Sequence, residues 1–83
     1  MKMNDKTSIT VTVKFFANLR AIAPPKKILT LPTESTVNTI LDMFTITKET
    51  KLIILINGSP HKKRETPIND GDIVAIFPPL AGG

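Results

Sequence analysis

Only one stretch of this sequence carries apolar side chains at helical spacing. Val37, Ile40, Leu41 and Phe44 fall at i, i+3, i+4 and i+7 behind Ser35 and Thr36, two residue types that cap helix N-termini. This predicts a single amphipathic helix, with Asn38, Thr39 and Asp42 facing water. A helix with one apolar stripe must bury it against something, and the remaining apolar residues come in short strand-like runs. The expected architecture is therefore α+β, two layers, with the helix across one face of a sheet.

The strands follow from periodicity and turn chemistry. Ile9, Val11, Val13 and Phe15 alternate with Thr10, Thr12 and Lys14, the period-2 pattern of a strand with one buried face, and Phe16 falls on the opposite face. After a connection over residues 17–26 interrupted by Pro24-Pro25, Lys27 to Leu31 reads as a second strand, close enough to pair antiparallel. Leu52 to Ile56 reads as a buried strand ending at Asn57-Gly58, a dipeptide suited to a tight hairpin turn. A weak strand is expected over part of Pro60 to Arg64. The turn cluster Asn69-Asp70-Gly71-Asp72 then leads into a last strand, Ile73 to Phe77. The order is ββαβ(β)β: a mixed sheet of four or five strands in one domain over residues 1–83, with a flexible N-terminus (1–7) and a projecting tail (78–83). If the last strand returns beside the first, Val11, Val13, Phe15, Val74 and Ile76 point inward, and Phe16, Ala75 and Phe77 share the other face.

Size and composition narrow the function. Eighty-three residues support one small core, so a deep enzyme active site is not expected. The chain has no cysteine, which removes disulfides, thiolate-bound zinc and a thiol nucleophile. No run approaches the length of a membrane span, and Met1 to Lys6 lacks the apolar core of a secretory signal, so a cytoplasmic protein is expected. A net charge of +4 admits an acidic partner or nucleic acid. Against nucleic acid, the chain has no tyrosine or tryptophan for base stacking, and its basic residues are scattered except for Lys62-Lys63-Arg64, which reads as a solvated strand edge. There is no phosphate-binding glycine loop and no paired acid–base motif. Lone His61 reads as a surface loop residue, and no metal site is expected.

The sequence ends Pro78-Pro79-Leu80-Ala81-Gly82-Gly83. Two prolines remove backbone donors and stop sheet pairing. The residues that follow can project as a peptide, and 78–83 fully extended would reach about 20 Å. Glycine lacks the Cβ that would obstruct a narrow channel or crowd a reacting carbonyl. An apolar patch of Phe16, Phe77 and Leu80 beside such a tail is the arrangement a docking module needs.

Two motifs at opposite ends, Phe15-Phe16-Ala17-Asn18-Leu19-Arg20 and Asp70-Gly71-Asp72-Ile73-Val74-Ala75-Ile76-Phe77-Pro78-Pro79-Leu80-Ala81-Gly82-Gly83, together resemble the small subunit of molybdopterin synthase, in the MoaD/ThiS sulfur-carrier family. The resemblance implies a β-grasp, ubiquitin-like fold. It implies that a separate E1-like adenylyltransferase, using ATP and Mg, activates the Gly83 carboxylate, and that a sulfur donor protein converts it to a thiocarboxylate. The large synthase subunit would then receive the tail (Pro78, Pro79, Leu80, Ala81, Gly82) and pass the sulfur to a pterin precursor, with the catalytic groups on that subunit. By the same resemblance Phe16 and Phe77 are apolar partner-binding anchors, Arg20 a polar one, and no cofactor is held stably. Thiamine-type sulfur carriers also end in Gly-Gly, and some archaeal relatives are joined to lysines as protein modifiers. Both remain alternatives, as does, from another class, a small basic nucleic-acid-binding module.

Overall fold

The computed structural model describes residues 7–46, 51–60 and 63–78. Five strands, β1 (Ser8–Phe15), β2 (Lys26–Pro32), β3 (Ile53–Ile56), β4 (Ser59–Pro60) and β5 (Ile73–Phe77), form one sheet in the order β2-β1-β5-β3-β4, and one α-helix, α1 (Val37–Met43), lies between β2 and β3 in sequence. β1 and β5 pair parallel at the centre, and the other neighbours are antiparallel. This is the β-grasp, ubiquitin-like fold.

The alternation in β1 does what its period requires. Ile9, Val11, Val13 and Phe15 are buried, and they meet Leu29 and Leu31 of β2, Ile54 of β3, and Val74 and Ile76 of β5 in one core. Val37, Ile40 and Leu41 of α1 close that core, and Phe44 sets its ring edge-on to Phe15 at 4.8 Å between centroids. Each large side chain so buried contributes about 1.5–3 kcal/mol. The helix start is tied down locally: the Thr36 N–H donates to Thr39 Oγ1 at 3.1 Å, and the Ile68 N–H donates to the Ser35 carbonyl at 2.8 Å.

Two turns set the sheet register. Asn57 and Gly58 both take positive φ, +53° and +86°, joining β3 to β4 as a tight hairpin. In the other turn the Asp70 carboxylate accepts the Thr10 N–H at 2.7 Å, the Gly71 N–H donates to the Thr10 carbonyl at 2.7 Å, and the Thr12 N–H donates to the Asp72 carbonyl at 3.0 Å. The loop is thus bound to β1 before β5 begins, which fixes Thr12 opposite Ile73. The two turns are also joined: Asn57 Nδ2 donates to Asp72 Oδ1, and Asn57 Oδ1 accepts the Ile73 N–H, both at 2.9 Å. Asp70 and Asp72 therefore serve the turns, as their residue type suggests.

Several expectations need correction. The connection after β1 is not featureless: Ala17–Ala21 is a 3-10 helix that buries Leu19, with Ala23 buried beyond it. Asn38 and Thr39 do not face water but are half-buried. The Asn38 N–H donates to the Arg64 carbonyl at 3.2 Å, and its Oδ1 is buried without a hydrogen-bond partner. The weak strand β4 is only Ser59–Pro60, so Lys63 and Arg64 lie beyond it in a turn rather than along an edge. β2 extends one residue beyond the predicted strand at each end, and β3 begins one residue later than predicted and ends where expected. The Thr7 carbonyl accepts the Thr33 N–H at 2.9 Å, while the rest of the predicted N-terminal segment, His61 and Lys62 lie outside the described residues.

Candidate functional site: an aromatic stack at the end of the sheet

The sheet face away from α1 carries no secondary structure over it among the described residues, and the site is built at one end of that face. Phe15 points into the core, so the next residue must point out. Phe16 remains extended, at φ −122°, and its N–H donates to the Ile76 carbonyl at 3.1 Å, which holds it alongside β5. On β5, Val74 and Ile76 are buried and Phe77 emerges on the outer face. Parity and adjacency therefore bring the two phenylalanines together. Their rings are stacked, with centroids 4.3 Å apart and planes within 8°.

Arg20 arrives by a different route. Ala17 takes φ +57°, reversing the chain, and the 3-10 helix then carries Arg20 back over the strand end. Its Nε donates to the Phe15 carbonyl at 3.1 Å, and its Cζ lies over the Phe16 ring, 5.9 Å from the centroid. The contact satisfies a strand-end carbonyl and adds a cation–π attraction of about 0.5–1 kcal/mol at an exposed site. Arg20 stays exposed, and a guanidinium has five N–H donors, so its terminal nitrogens remain able to meet a carboxylate.

Phe16, Phe77 and Arg20, named from the sequence, are thus assembled in one place. Pro78 follows directly and is half-buried, whereas Pro79, Leu80, Ala81, Gly82 and Gly83 lie outside the described residues. The sequence did not point to Ile53, which pairs across from Phe77 and is 42% exposed, extending the apolar surface. Within the uniformly aliphatic run Leu52 to Ile56 no alternation marks which side chain faces out. Among the described residues there is no cluster of three or more potential metal ligands, and no helix is long and apolar enough to cross a membrane.

Comparison with known proteins bears on what such a site serves. A putative molybdopterin converting factor subunit 1 from Pyrococcus furiosus superposes with a TM-score of 0.72 at 25% identity, covering 87% of this chain and 99% of that one. The small archaeal modifier protein 1 from Methanosarcina acetivorans gives 0.70 at 29% identity, covering 92% of this chain and 98% of the other. The complex of subunits 1 and 2 of the molybdopterin-converting factor from Helicobacter pylori shares the fold at 21% identity and a TM-score of 0.61, covering 90% of this chain and 100% of the matched one. No curated protein matches the chain. The model of the ThiS family matches residues 13–83, from the middle of β1 through both halves of the aromatic stack to the terminal glycines. With its fold and this match in agreement, the chain belongs to the ThiS family, the ubiquitin-like sulfur carriers of the ThiS/MoaD type.

Proposed function

We propose that this chain is a cytoplasmic sulfur carrier for molybdopterin synthesis. Gly83 is activated as an acyl-adenylate by an E1-like adenylyltransferase that uses ATP and Mg, because a free carboxylate is too poor an electrophile to exchange oxygen for sulfur directly. A sulfur donor protein then delivers hydrosulfide, whose sulfur attacks the acyl carbon; the new C–S bond forms as the C–O bond to AMP breaks, AMP and a proton leave, and a C-terminal thiocarboxylate results. The large synthase subunit receives residues 78–83 and transfers the sulfur to a pterin precursor.

The observation that carries this reading is the Arg20–Phe16–Phe77 arrangement immediately before Pro78. It supplies a rigid apolar platform with one cationic donor at the root of the tail, where a partner that swallows the tail must also make contact. Ordering a free peptide costs about 1–2 kcal/mol per residue, so docking needs such compensating contacts, and Pro78-Pro79 lower the cost by restricting the unbound chain. The similarity to the Pyrococcus furiosus subunit and the Phe-Pro-Pro lead-in favour molybdopterin over a thiamine-type role.

A second reading, conjugation of Gly83 to lysines of other proteins, is favoured by the 29% identity to the archaeal modifier protein and shares the same activation step. Deleting Gly82 and Gly83 tests both. The truncated chain is expected to keep its circular dichroism spectrum and lose ATP–pyrophosphate exchange with the adenylating enzyme. Undiminished exchange would overturn the proposal.

A further inference from the structure

The strand register places side chains of the open face in rows that the sequence does not show. Ile28, Thr12 and Ile73 lie side by side across β2, β1 and β5, and Lys26, Lys14, Ala75 and Leu55 form the next row across four strands. Phe77 and Ile53 form the third, beside Phe16. Rows two residues apart along a strand are separated by about 7 Å. Apart from Thr12 the outer two rows are apolar, with Ile28 61%, Ile73 44% and Ile53 42% exposed. Between them two lysines stand directly opposite each other.

That pair is unfavourable within the domain. Like charges opposite one another on adjacent strands repel, and no outward-facing position of the described strands holds an aspartate or glutamate to offset them. Arg20 adds a third cation at the end of the same face. A second copy of this chain docked face to face would set lysines against lysines. A nucleic-acid backbone would answer the charge but would press phosphates and sugars onto exposed isoleucines, and the two phenylalanine rings already stack on each other. A protein surface with acidic groups flanked by apolar ones answers both features.

We propose that Lys14 and Lys26 select the partner of this face, which carries carboxylates opposite the lysine row and apolar side chains opposite the rows of Ile28 and Ile73 and of Phe77 and Ile53. The assignment rests on the carrier reading above and adds to it the chemistry of the partner's contact surface. Matching charges raise the encounter rate and exclude partners whose facing surface is basic.

The test uses the full chain and the adenylating enzyme of its own source, with ATP–pyrophosphate exchange as the readout. For the double variant Lys14→Glu/Lys26→Glu, KM for the carrier rises about tenfold with kcat retained, a change of about 1.4 kcal/mol. For the unaltered chain, KM rises with added salt. The single variant Lys14→Glu replaces a like-charge pair with an opposite-charge one, so Tm rises by about 1–4 °C while KM worsens, a divergence that loss of folding cannot produce. An unchanged KM for the double variant, with Gly83 still adenylated, overturns this inference and leaves the carrier reading intact. No adenylation of the unaltered chain overturns both. Dimerisation by sedimentation, or tight binding of a single-stranded oligonucleotide, that disappears in the double variant would replace the acidic protein partner and likewise overturn the inference.

Discussion

Replacing Phe16 by alanine separates the fold from the site, because the ring lies outside the core yet is held by identifiable contacts. Fully burying a phenylalanine makes its truncation cost about 3–5 kcal/mol. Phe16 is half-buried, which brings the area contribution down to roughly 1.5–2 kcal/mol on the same scale. The near-parallel stack on Phe77, 4.3 Å between centroids, couples the two rings by about 0.5–1.5 kcal/mol beyond area. Phe16→Ala should therefore lower stability by about 2–3.5 kcal/mol, enough to move Tm by roughly 8–28 °C in a domain of this size without unfolding it at 25 °C. The chain has no tryptophan or tyrosine, so the assay is urea unfolding followed by far-ultraviolet circular dichroism on Phe16→Ala, Phe77→Ala and the double variant. A coupling of about 0.5–1.5 kcal/mol is expected from the cycle. A coupling below about 0.3 kcal/mol, the additivity seen for unconnected sites, would refute the stack as an interacting unit.

Other perturbations follow from the same contacts. Asn57→Ala removes two hydrogen bonds at 2.9 Å and places alanine at φ +53°, so a loss of about 2–3 kcal/mol is expected, whereas Asn57→Gly tolerates the φ and should lose about 1 kcal/mol less in urea titrations. Phe15→Ala, at a fully buried ring with Phe44 edge-on to it, should cost about 3–5 kcal/mol and leave little cooperative unfolding in a thermal scan. Arg20→Lys keeps a charge but not the planar fork, so it should weaken partner binding measured by calorimetry while shifting Tm by no more than about 4 °C.

The elements were legible where periodicity was clean. The alternation from Ile9 to Phe15 and the stripe from Val37 to Phe44 give β1 and α1 directly, and adjacency of the first and last strands then puts Phe16 beside Phe77. Features that depend on backbone reversal were not legible. Ala17, Glu34 and Thr45 take positive φ with residue types that do not advertise it. The first of these is what returns Arg20 to the Phe15 carbonyl, a contact that spacing alone could not predict. Thr45 similarly lets the Ile46 N–H reach back to the Leu41 carbonyl at 2.9 Å and end the helix without glycine. Asn38 looked solvent-facing because helical periodicity ranks positions by angle and knows nothing of the turn at Arg64 that packs over it. The facing lysines were hidden for a related reason: parity assigns Lys14 to the open face, but only the pairing register sets Lys26 opposite it.

Sulfur loading changes one atom, at Gly83, and the intact mass of protein isolated from its native cells reads that change. A thiocarboxylate carrier gives a species heavier by about 16 Da than the free acid, the difference between sulfur and oxygen, with the increase localised to Gly83 by fragmentation. Protein carrying only the free acid at Gly83, recovered under active cofactor synthesis together with Gly-Gly remnants on lysines of other proteins, would contradict it and assign the chain to protein modification instead.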